Sequence, residues 1–78
     1  MDTPTYAELI GNLVATATKE AGHSEKYASE LYGIPRVTYR RKLQGDSEFT
    51  MTELQRIADR LQLHDGAAAF IPRRGRAA

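Results

Sequence analysis

Four cations stand close together between Pro35 and Gln44, namely Arg36, Arg40, Arg41 and Lys42, with no acid among them. The rest of the chain carries seven Lys and Arg against ten Asp and Glu, so a protein of net charge +1 has gathered its positive charge on one short stretch. Arginine suits a definite chemistry here. Its planar guanidinium is a fork of donors that pairs with O6 and N7 of guanine, a contact worth ~1–3 kcal/mol against the wrong base. A compact cationic cluster also draws in polyanions. We therefore expect a helix that approaches nucleic-acid phosphates and reads base edges. A solvated charged face is the ordinary alternative for a charge run. The missing acids, and the Gly33-Ile34-Pro35 turn just before the run, favour DNA.

Other chemistries find little support. His23 and His64 are isolated, and each sits beside an expected helix start, which fits a loop or cap role and not metal binding or catalysis. No carboxylate pairs with a histidine or nucleophile at a useful spacing, so we expect no enzyme, no cofactor, no metal and no small-molecule ligand. With no cysteine, disulfides and thiolate metal sites are excluded, and a reducing compartment is the natural reading. No apolar run approaches the ~20 residues of a membrane helix, and the N-terminus lacks a basic region followed by an apolar block. A cytoplasmic protein without membrane contact is expected. The four tyrosines could stack on single-stranded nucleic acid. Tyr6, Tyr32 and Tyr39, however, fall on apolar stripes and read as core, with Tyr27 exposed.

Positioning the basic stretch requires a frame, and 78 residues allow one small domain. Such a domain buries only ~60% of its unfolded surface. The expected fold is all-α, a compact bundle of four to five short helices over residues 5–20, 24–32, 35–44, 50–62 and 65–71. These make a single helix-turn-helix domain over residues 1–72, with a flexible basic tail over 73–78. Thr5 and Glu8 form a capping box, behind which Tyr6, Leu9, Ile10, Leu13, Val14 and Ala17 recur at helical spacing. Gly11 and the Thr16/Thr18 pair are expected to face off that stripe, and Gly22 supplies a left-handed stop. Ser24 is a good N-cap for the second helix, whose inward face is Ala28, Leu31 and Tyr32. Gly33 ends it, and Pro35 opens the third helix within its first turn. Two helices joined so tightly suggest a helix-turn-helix.

Within the third helix Tyr39 and Leu43, four apart, should seat it on the core. Arg36, Val37, Arg40, Arg41 and Gln44 then point outward, with Thr38 and Lys42 on the flanks. Gly45 stops it. A second capping box, Thr50 with Glu53, and a Phe49–Leu54 staple introduce the fourth helix. Its stripe is Leu54, Ile57, Ala58 and Leu61, and Glu53, Arg56, Asp59 and Arg60 mark its wet side. Asp65 to Ile71 can form a short fifth helix in which Phe70 and Ile71 serve either as a plug on the chain's own core or as a homodimer contact. The arginines of the tail, Arg73 to Arg76, read equally as a DNA-contacting arm or a solubilising end.

The run from Ser24 to Gly45, with Ala28-Ser29, Gly33-Ile34 and Tyr39, is followed by Phe49-Thr50-x-x-Glu53-Leu54-x-x-Ile57-Ala58-x-x-Leu61. This combination resembles the Cro-like and lambda-repressor-like helix-turn-helix proteins, above all the small phage or prophage regulators of actinobacteria. The likeness covers roughly Tyr6 to Leu63. It departs at Pro35, where the family often has Ser or Thr capping the recognition helix, and at Ser24-Glu25, where Gln often opens the preceding helix. The resemblance implies a repressor in a bacterial host cell whose helix 35–44 enters the major groove of double-stranded DNA. On that basis base readout falls to Arg36, Val37, Arg40, Arg41 and Gln44, with Arg36 and Arg41 foremost. Phosphate contact falls to Ser24, Lys26, Thr38 and Lys42. The alternative expectation is a helical protein-interaction module, such as an antitoxin or an excisionase-like accessory factor.

Overall fold

A computed structural model describes residues 3–72; the Arg73–Arg76 segment therefore lies outside the described residues. Among the described residues four α-helices and a 3₁₀ turn follow in order, with no strand: α1 (Tyr6–Glu20), α2 (Glu25–Tyr32), α3 (Arg36–Gln44), α4 (Met51–Arg60) and the 3₁₀ helix Gly66–Phe70. The all-α bundle is as the sequence implies, and among the described residues no helix is long and apolar enough to cross a membrane.

Local chemistry sets the helix starts. Thr5 Oγ1 accepts the Glu8 N–H at 3.1 Å while the Glu8 carboxylate accepts the Thr5 N–H at 2.7 Å. Thr50 and Glu53 repeat the arrangement at 3.0 and 2.9 Å. Each box satisfies two of the backbone donors a helix start leaves without partners. At the second helix Ser24 Oγ accepts the Tyr27 N–H. Gly33 and Gly45 end α2 and α3 in the left-handed conformation, at φ 70° and 86°. This is a conformation that other residues adopt only at a cost.

The core gathers Ile10 and Val14 of α1, Ala28 and Tyr32 of α2, Tyr39 of α3, and Leu54, Ile57 and Ala58 of α4, with Ile34, Phe49, Ala67 and Phe70 from the connections. Phe49 and Leu54 are both buried in it, as a staple requires. Phe70 is 1% exposed and plugs the chain's own core; Ile71 packs partly buried against the same core.

Several sequence-based expectations change. Tyr6 is 49% exposed, and Leu9 and Leu13 are also exposed, while α1 buries Ile10, Gly11, Val14 and Thr18. The cause is the crossing with α3. A Cβ on Gly11 would be driven into the backbone carbonyl of Leu43 and would lie 2.9 Å from the Lys42 carbonyl oxygen. Only a hydrogen at this position allows the last turn of α3 to lie against α1. That contact rotates the Gly11–Thr18 side of α1 inward, displacing the more apolar flank. Pro35 stands one residue before the helix, at the N-cap with ψ 142°, and not within the first turn. Its carbonyl accepts the first helical bond, from the Tyr39 N–H at 2.8 Å.

The fourth helix ends at Arg60, because Gln62 takes φ 58° and the Leu63 N–H bonds back to the Ala58 carbonyl. The wet side of α4 is also less idle than its composition suggests. Arg56 and Arg60 donate to the carbonyls of Tyr32 and Leu31 at 3.2 and 3.1 Å. They neutralise the C-terminal end of α2, where unpaired carbonyls gather negative partial charge. Gln55 accepts the Ala67 N–H and so ties the 3₁₀ turn to α4. The last element is 3₁₀ in place of a short α-helix; with five residues it is too short to gain from α-helical propagation.

Candidate nucleic-acid interface

Tyr39 anchors the exposed surface of α3 and is the only residue of that helix to be fully buried. Its ring meets Tyr32 of α2 edge-on at 5.8 Å and Phe49 at 6.3 Å. Behind the rings lies a buried group of hydroxyls. Thr18 Oγ1 is 2.8 Å from the Tyr32 hydroxyl and 3.4 Å from that of Tyr39. One threonine of α1 thus bonds to Tyr32 of α2 and lies beside the Tyr39 hydroxyl of α3. Burial raises both phenols above their ordinary pKa of 10, and hydrogen bonding with Thr18 opposes the rise. Both remain neutral near pH 7. Leu43 is the second anchor, partly buried against the core.

With that side turned inward, five side chains face out together. Arg36, Val37, Arg40, Arg41 and Gln44 are all exposed and line one shallow depression with Asp46. Val37 is 73% exposed, an apolar side chain among cations. Among the described residues Arg36 and Arg41 have no ionic or hydrogen-bonding partner, so their guanidiniums are free. Arg40 differs, since its Nε donates to the Glu25 carboxylate of α2 at 2.9 Å. The N–H groups of Arg36, Val37 and Thr38 begin a helix with no side-chain cap and leave donors pointing outward.

The residues expected to meet phosphates divide. Lys26 is exposed, Ser24 is exposed with its oxygen engaged in capping, and Thr38 is half-buried on the flank. Lys42 is not available. Its ammonium donates to both Glu53 oxygens, at 2.6 and 2.7 Å, lies 5.9 Å from the Phe49 ring centre, and belongs to a side chain only 11% exposed. Burial alone would raise the Glu53 carboxyl. The hydrogen bonds from Lys42 and Thr50, together with the Lys42 charge, outweigh it and hold the group below 4.5. Lys42 is a structural tie between α3 and α4, and is withdrawn from the phosphate set.

Two acids at this face escaped the reading of the sequence. Glu25 lies 15 residues from Arg40, too far for helical spacing to pair them. Asp46 follows Gly45, and only the left-handed turn brings it back to the depression. The face is therefore three exposed arginines flanked by two carboxylates, a more graded surface than the unbroken basic run suggests. Comparison with known proteins adds nothing to this geometry: no family model, curated protein or solved structure matches the chain.

Proposed function

We propose that the protein is a sequence-specific double-stranded DNA-binding regulator of transcription that inserts α3 into the major groove. The observation that carries this reading is the single outward face of α3, on which the free guanidiniums of Arg36 and Arg41 flank an exposed Val37. The B-DNA major groove, ~12 Å wide, admits an α-helix. Arg36 and Arg41 are suited to the O6 and N7 acceptors of guanine, Val37 to the methyl group of thymine, and Gln44 to adenine. Lys26 and the uncapped helix start after Pro35 are suited to backbone phosphates. A repressor of the Cro or immunity type would act in the cytoplasm of a bacterial host by occupying an operator that overlaps a promoter.

Selection of bound sequences from a random duplex pool, followed by gel shifts across a salt series, tests the proposal. Arg36→Ala and Arg41→Ala are each expected to relax base preference at one position, with a loss of ~1–3 kcal/mol on the selected site. If both variants bind selected and random DNA as well as the parent, the assignment is wrong. A second reading, a helical module whose main partner is protein, draws on the exposed Tyr6, Leu9 and Leu13 stripe of α1. Co-purification of one stoichiometric protein without DNA would favour it.

A further inference from the structure

The face formed by α3 includes an acid supplied by another helix. Glu25, first residue of α2, reaches across to accept the Arg40 Nε proton at 2.9 Å. Capping of α2 does not require it, since Ser24 already takes the Tyr27 N–H. The pair is wet, with side chains 57% and 32% exposed. Pairs of this kind contribute little to folding, because water competes for both charges. Their effect falls on whatever approaches the surface. One of the three exposed arginines is partly neutralised by a carboxylate held against its Nε.

We propose, resting on the DNA-binding reading, that Glu25 sets the selectivity of the α3 face through Arg40. Holding the guanidinium by its Nε fixes the direction of the remaining Nη donors. The adjacent carboxylate repels a phosphate that arrives from the α2 side. On an arbitrary duplex, where binding comes from phosphates at variable positions, Arg40 is thus discounted. On a matching site, where a base acceptor meets the aligned Nη groups, Arg40 is used. Glu25 is a positioning residue that lowers non-specific affinity more than specific affinity, which is how a difference of affinities is widened by a repulsive element.

The test is a cycle of Glu25→Gln, Arg40→Gln and the double variant, each checked for folding by circular dichroism. Binding is measured on a random-sequence duplex and on the selected site from low salt to about 0.15 M. Freeing one cation for phosphate should steepen the slope of log K against log salt by ~0.9 on random duplex, equivalent to about fivefold tighter binding at about 0.15 M. The selected site should change less, so the specificity ratio falls. In the Arg40→Gln background the same change should do nothing of the kind. Glu25→Ala, which suits a helical first turn, is a second variant should the first fold poorly. Random-duplex binding unchanged by loss of Glu25, or tightened equally without Arg40, overturns the proposal. A parent that binds no duplex at any salt overturns the DNA reading as well; a parent that binds its site beside a silent Glu25→Gln overturns this role alone.

Discussion

Thr18→Val is the substitution that most directly tests how α1 is tied to α2, against whose Tyr32 ring Tyr39 of α3 packs. Valine keeps the volume and the branched shape of threonine and removes only the hydroxyl. Thr18 is 4% exposed and both phenols are fully buried, so no bulk water replaces the lost oxygen. The two contacts are unequal. At 2.8 Å the Tyr32 hydroxyl has an ordinary O–H···O bond, whereas 3.4 Å to Tyr39 lies beyond the range of a good one. Leaving the Tyr32 hydroxyl without a partner should cost ~1–3 kcal/mol, with little added by Tyr39. In a domain of this size each kcal/mol lowers Tm by roughly 4–8 °C.

The assay is urea unfolding followed by far-UV circular dichroism on the parent, Thr18→Val, Tyr32→Phe, Tyr39→Phe and the Thr18→Val/Tyr32→Phe pair. With an m-value near ~1 kcal/mol per molar urea, the Thr18→Val midpoint should fall by about 1 M or more. The double variant should be less destabilised than the two single effects added together, because replacing both partners leaves no orphaned group. Tyr39→Phe should be nearly silent. A Thr18→Val midpoint equal to that of the parent, or simple additivity with Tyr32→Phe, would refute the claim that this hydroxyl ties the helices together. A Tyr39→Phe loss as large as that of Tyr32→Phe would show that the longer contact had been undervalued.

Two further outcomes follow from the packing of α3. Gly11→Ala should lower Tm despite the ~1 kcal/mol that alanine gains in helix propensity. The added methyl meets the backbone of Lys42 and Leu43, which cannot rotate aside, and such overpacking typically costs ~1–3 kcal/mol or more; a rise in Tm by scanning calorimetry would show that the α1–α3 contact is loose. Acid should weaken the domain partly through Glu53. Its folded pKa lies below 4.5, so its contribution is present above that value and is lost as pH falls through the folded pKa. Urea midpoints taken between pH 6 and pH 2.5 should therefore decline less steeply in Lys42→Met than in the parent, and parallel declines would mean that the pair contributes nothing.

What could be read in the sequence depended on how far apart the interacting residues lie. Both capping boxes, the Ser24 cap and the left-handed glycines at 33 and 45 are written within four residues of chain, and each is found where its residues imply. The outward set on α3 was equally accessible, because Tyr39 and Leu43 fix the helix's rotation and the other positions follow from 100° per residue. Non-local contacts decided the rest. Hydrophobic periodicity alone favours the Tyr6–Leu9–Leu13 flank of α1, yet the close approach to α3 selects the side with Gly11 and Thr18. Lys42 looks like one more cation of the run until α4 brings Glu53 against it. Gln62 takes the left-handed role at the end of α4 without being a glycine or asparagine, so the usual signal is absent.

These non-local contacts share a direction, and that bears on how the helix could work. With nine residues and one fully buried side chain, α3 is far too short to be stable alone. Its conformation is held from three sides: by α1 at Gly11, by α2 at Tyr32, with the wet Glu25–Arg40 pair adding little, and by α4 through Glu53 on Lys42. Of these contacts only Glu25–Arg40 lies on the outward face. The other ties use inward or flanking atoms, which leaves Arg36, Val37, Arg41 and Gln44 unspent on folding. If α3 reads DNA as proposed, substitutions on the outer face should consequently change binding with little effect on stability. Substitutions at Thr18, Gly11 or Glu53 should weaken both, because an arginine can be aimed at a base edge only if the helix bearing it is fixed.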